Sequence, residues 1–167
     1  AEAPGALPSR EPVPLDAVAD ALLEFYEPLA EDRQLTLRRE GMARVNGNRL
    51  MLHRAIANLL SNALKHAAAG SEVRMRLAEA EGLCRISVHN IGMPIAIEAL
   101  PRLFDRFYRG ERGRHEGAGL GLAITRAIAQ AHGGSVSVVS DEAGTVFEMV
   151  LPVAQRQAPS THGVDLL

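Results

Sequence analysis

Val73, Met75 and Leu77 alternate with polar neighbours, as do Cys84, Ile86 and Val88, and Ser135–Val139 and Thr145–Leu151 read as two further strands. A strand written with this period has one face to bury, so the chain must supply a layer to cover it. Helices are the available cover. Leu15, Val18, Leu22, Phe25, Tyr26 and Leu29 recur at helical spacing, with Asp16 near the start where the macrodipole favours an acid. A second helix is expected from about Arg49 to Ala68, ending before Gly70, and a third over Gly119 to Ala131, capped by Gly133-Gly134. Leu35–Arg39 and Ala43–Asn46 alternate as short strands, and a turn at Glu81-Gly82 makes a hairpin or an adjacent antiparallel pair of the strands beside it. The pattern predicts an α+β fold, a two-layer α/β sandwich with a mixed, mainly antiparallel sheet of about five strands covered on one face by three helices.

The 167 residues carry 18 Lys plus Arg against 20 Asp plus Glu, a formal charge of −2, which argues against a strongly basic nucleic-acid surface. With 47% hydrophobic residues the chain has material for one core. No run of eighteen apolar residues occurs, and the N-terminus lacks the basic and apolar regions of a signal peptide, so the segment is expected to be soluble. Cys84 is the single cysteine, without a partner for an internal disulfide or a zinc site, and a reducing, cytoplasmic setting is expected. Residues 1–14 hold four of the nine prolines and read as a linker, residues 15–152 as the folded domain and residues 153–167 as a flexible tail. The nearly thirty residues after Asn90 contain two prolines and five glycines, and so long an irregular stretch is expected to be functional.

On the second helix, Arg54, Asn58, Asn62 and Lys65 form one stripe with His66 at its margin, while Ile56, Leu59, Leu60, Ala63 and Ala67 lie opposite. The bland account is a solvated polar face. Asparagine is a poor helix former, however, and its amide oxygen is a neutral hard ligand suited to Mg²⁺ that is already held by phosphates. Gly117, Gly119, Leu120, Gly121 and Leu122 open the third helix, where free backbone N–H groups and the dipole suit an anion; close packing of a loop is the competing account of the glycines. Leu122 and Ile124 stand where a dinucleotide fingerprint would need its third glycine, and no P-loop pattern is present.

In order and spacing, Asn58–His66, Asn90-Ile91-Gly92-Met93-Pro94, Leu103–Arg109 and Gly117–Ile124 resemble the N, first glycine, F and second glycine boxes of the catalytic ATP-binding domain of bacterial sensor histidine kinases. The resemblance covers about Leu15 to Pro152 and implies the Bergerat-type ATP-binding fold. Leu100–Arg109 and the Gly144-Thr145 hairpin look most like the heavy-metal-responsive branch.

By that resemblance Asn58 would hold Mg²⁺, Asn62 and Lys65 would lie beside the triphosphate of ATP, and His66 would lie near the nucleoside. Asn58, Lys65 and Arg109 are the implied catalytic residues, with Arg109 reaching the γ-phosphate from a lid over about residues 93–117. Tyr108, with Phe104 and Phe107, would dock that lid, and Gly92 belongs to the turn after the adenine reader. Asn90 stands where the family carries an Asp, and Pro94 where a second glycine is usual, which implies weaker adenine binding. ATPases of the same fold place a Glu four residues before the magnesium asparagine; Arg54 stands there and cannot act as a general base at neutral pH. The implied reaction is therefore phosphoryl transfer to a histidine on a separate dimerisation and phosphotransfer domain, followed by a response regulator. The implied parent is a membrane-bound homodimer of the bacterial inner membrane with this domain in the cytoplasm. A non-catalytic nucleotide-dependent interaction module and an anti-sigma-type serine kinase are the alternatives.

Overall fold

The computed structural model describes residues 9–105 and 121–153. Strand β1 (Glu11–Pro14) leads into helix α1 (Leu15–Asp32), followed by β2 (Thr36–Glu40), β3 (Arg44–Gly47) and helix α2 (Arg49–His66). Then come β4 (Glu72–Ala80), β5 (Leu83–Asn90), a single 3₁₀ turn at Leu100–Arg102, α3 (Gly121–Ala131), β6 (Ser135–Asp141) and β7 (Gly144–Pro152). Five strands form one sheet in the order β2-β4-β5-β7-β6, parallel only between β2 and β4. This is the expected mixed sheet with three long helices.

Alternation decides the layers. Val73, Met75, Leu77, Cys84, Ile86, Val88, Phe147, Met149 and Leu151 are buried, whereas Arg76 and Arg85 at the intervening positions are exposed. Glu81 and Gly82 both adopt positive φ, at 55° and 78°, as the two-residue turn between Ala80 and Leu83 requires. On α2, Ile56, Leu59, Leu60 and Leu64 are no more than 1% exposed. Each such side chain contributes about 1.5–3 kcal/mol by burial, against roughly half a kcal/mol lost to each helical Asn, so the helix forms in spite of Asn58 and Asn62.

One expectation is corrected at the N-terminal side. Glu11–Pro14 lie inside the stretch read as a linker, yet they pair antiparallel with β3, because Val13 is fully buried and Leu15 anchors the start of α1 beside it. Pro12 and Pro14 suit the edge of a two-stranded ribbon, where a missing N–H is tolerated. Among the described residues no helix is long and apolar enough to cross a membrane.

Candidate active site

The polar stripe of α2 is not simply a solvated face. Asn58 and Asn62 are half-buried, and the Asn58 side-chain Nδ2 donates to the Gly121 carbonyl at the start of α3, 3.1 Å away. The Thr125 hydroxyl donates to the same carbonyl at 2.9 Å. With its nitrogen bonded to the Gly121 carbonyl, the Asn58 amide keeps Oδ1, the atom able to hold a hard cation, as its acceptor end. Lys65 and His66 continue the stripe and are exposed, and Leu122 packs partly against the core. Arg54, one turn before Asn58, is exposed.

Among the described residues an added Cβ at Gly121 would meet only Asn58, at ordinary contact distance, 3.8 Å from Cγ. Close packing among the described residues does not call for glycine at this position. Gly92 is the opposite case, since a Cβ there would lie 2.2 Å from the His66 carbonyl oxygen. The turn after β5 thus presses on the end of α2, and the Ala68 N–H donates to the Ile91 carbonyl at 2.7 Å. In this way Asn90, Gly92 and His66 are brought to one end of the stripe.

Asn90 closes β5 on the buried face at 3% exposure, directly across from Thr145 of β7. Thr145 shares a 2.7 Å hydrogen bond with the Ser140 hydroxyl, which also accepts from the Ile95 N–H at 2.9 Å. Neither Thr145 nor Ser140 was picked out from sequence as a candidate. The signal was present, because Thr145 is a polar residue in the inward register of Phe147, Met149 and Leu151.

Phe104 is 8% exposed and packs edge-on against Phe147, with ring centroids 6.0 Å apart, which supports its reading as an anchor. Asp105 pairs with Arg126 of α3 at 3.7 Å. Tyr108, Arg109, Gly117, Gly119 and Leu120 lie outside the described residues, as does Phe107. Burial pushes the Cys84 thiol up to about 12, so it stays protonated and inert at neutral pH. On the other face of the sheet a concavity of about 520 Å³ is lined by Arg74, Arg76, Arg85 and Glu148. Those arginines pair with Glu72, Glu40 and Glu148, so the patch carries little unbalanced charge.

Residues 47–155 match the family of histidine kinase-, DNA gyrase B- and HSP90-like ATPases. The chain is 45% identical over 150 residues to the sensor histidine kinase CusS of Escherichia coli strain K12, across 87% of this chain and 31% of that protein. The mycobacterial sensor histidine kinase MprB superposes with a TM-score of 0.75 at 30% identity, over 86% of this chain and 97% of that one. The histidine kinase ThkA, solved in complex with the response regulator protein TrrA, shares the fold at a TM-score of 0.73 and 23% identity, over 86% of this chain and 42% of that one. The two-layer fold that carries the polar face of α2 is thus that of an ATP-binding domain. More narrowly, the chain belongs to the histidine kinase-, gyrase B- and HSP90-like ATPase family, as a catalytic domain of the sensor histidine kinase kind. It spans about a third of the length of the curated relatives it matches, at 31% for CusS.

Proposed function

We propose that this domain binds Mg-ATP over α2 and the opening of α3 and hands the γ-phosphoryl group to a histidine on a separate dimerisation domain. The observation that carries the reading is the pairing of Asn58 with Gly121, a position where no packing contact among the described residues calls for glycine. A backbone kept bare at a helix opening lets phosphate oxygens approach its N–H groups. The Asn58 Oδ1 is a neutral oxygen donor that fits Mg²⁺ when the phosphates supply further ligands. When bound, that ion supplies charge neutralisation across the phosphates.

In this reading Asn62 and Lys65 line the triphosphate, and His66 and Gly92 flank the nucleoside. Asn90 accepts a hydrogen bond from the adenine amino group, and Arg109 reaches the γ-phosphate. Tyr108 docks the lid of residues 93–117, and the segment Gly117, Gly119, Leu120 and Leu122 continues the phosphate-facing helix opening. Positioning and charge neutralisation are most of what phosphoryl transfer asks of a protein. Arg54 offers no base to activate water, which favours a protein acceptor over hydrolysis.

The parent in this reading is a membrane-bound homodimeric sensor with the domain in the cytoplasm, passing phosphate to a response regulator. The run Leu100–Arg109 and the Gly144-Thr145 hairpin, together with the similarity to CusS, favour a heavy-metal-responsive pathway. Mixing the domain with the dimerisation domain of its parent and radiolabelled ATP tests the reaction: an acid-labile phosphoramidate on that domain is expected. Rapid ATP turnover by the chain alone would turn the reading to an ATPase, and stable phosphoserine on an added partner would turn it to a serine kinase.

A further inference from the structure

His132, at the end of α3, is 1% exposed, and both of its ring nitrogens are engaged. The backbone N–H of Asn48 lies 3.0 Å from Nε2, and the Ile128 carbonyl lies 2.8 Å from Nδ1. A backbone N–H can only donate, so Nε2 is the acceptor and the ring proton sits on Nδ1. The ring has room only because residue 47 is glycine, where a Cβ would lie 2.6 Å from the imidazole.

Asn48 is also the N-cap of α2, its side chain accepting from the Met51 N–H at 2.9 Å. The other half of that amide donates to the carbonyl and hydroxyl oxygens of Ser9, each at 3.3 Å. Arg10 reaches the carbonyls of Ala131 and Asn46 at 3.4 and 3.5 Å. Four pieces of chain therefore meet in one polar joint: the incoming segment, the end of β3, the start of α2 and the end of α3. The far end of α2 is held differently, by Arg33 donating to the carbonyls of Leu64 and Ala67. The C-terminal end of α2 is thus fixed by the domain itself, while its N-terminal end is shared with the segment that enters the domain.

We propose that this joint couples the seating of the Ser9–Pro14 segment to the nucleotide site, with Arg10 and His132 as positioning residues that act through α2 and α3. The inference rests on the reading of that site as a Mg-ATP site and adds its regulation from the incoming segment. A shift of the segment alters the cap of α2 and the end of α3, and these two helices carry Asn58 and Gly121. Linkage makes the effect reciprocal, so nucleotide bound across the two helices tightens the joint.

The test is calorimetric titration of the whole chain with Mg-ATP, combined with hydrogen exchange of the Asn48 amide read by NMR. In wild type, Mg-ATP is expected to slow exchange at Asn48. Arg10→Ala, at a partly exposed position, is expected to weaken Mg-ATP binding about fivefold and to reduce that protection, and Arg10→Lys to recover part of both. An Asn48 amide indifferent to Mg-ATP, or an Arg10→Ala protein with unchanged affinity, would overturn the joint while leaving the site intact. A wild-type chain that does not bind Mg-ATP would overturn both. The wild-type exchange measurement needs no variant to fold.

Discussion

The Asn58 side chain donates to the main-chain carbonyl of Gly121, 63 positions away in sequence and 3.1 Å away in space. That bond ties the polar stripe of α2 to the opening of α3 and leaves Oδ1 as the acceptor end of the amide. It also separates two kinds of substitution, those that strip a ligand atom and those that crowd the space a ligand needs.

In the proposed reading, replacing Asn58 strips a ligand atom. Asn58→Ala is expected to leave the fold intact, since the side chain lies on the half-buried stripe and not in the core. Phosphoryl transfer to the dimerisation domain is expected to fall about 100-fold or more, the scale of losing several kcal/mol of charge stabilisation. Circular dichroism and an autophosphorylation assay check the two halves, and unchanged labelling would remove Asn58 from the magnesium role.

Gly121→Ala crowds the space. Among the described residues an added Cβ meets nothing closer than 3.8 Å, so thermal stability is expected to hold or to rise by up to about 1 kcal/mol from better helix propensity. Mg-ATP affinity is expected to fall. Equal affinity in the two proteins would mean that phosphate does not approach this backbone.

At Asn90 affinity and stability are expected to part. In the proposed reading, Asn90→Asp provides a charged acceptor for the adenine amino group, worth ~1 kcal/mol more than a neutral one. The same change places a carboxylate at a position only 3% exposed, which costs stability in the nucleotide-free protein. Tighter ATP binding with a lower melting temperature is the expected pair. Wild type binding ATP and GTP equally would count against this residue as the base reader.

Stability is expected to depend on His132. Burial lowers its pKa below 6.5, Arg10 adds to the lowering, and the bond to the Ile128 carbonyl opposes it. The unfolded chain therefore takes up the proton first on acidification. The contribution of His132 is fully present above pH 6.5 and is lost as pH falls from there through the lowered folded value. Melting curves between about pH 8 and about pH 5 should show wild type losing more stability than His132→Gln, whose neutral amide does not titrate. Parallel curves would remove His132 as the source.

Sequence by itself determined the layers. Alternation in β4, β5 and β7 and the 3.6-residue period of α1 and α2 follow from local side-chain direction, and they require one sheet face to meet one helix face. The candidate residues on α2 were legible for the same reason, because neighbours on a helix face lie three or four residues apart. Only tertiary structure decided which remote segments meet. Asn58 reaches Gly121, Thr145 lies across from Asn90, and His132 lies against Asn48 through strand register and helix packing, which join residues from 55 to 84 positions apart. No local period encodes such a pairing. The strand at Glu11–Pro14 was hidden likewise, since its prolines spell a linker in isolation and become an edge strand only when β3 lies alongside to bury Val13.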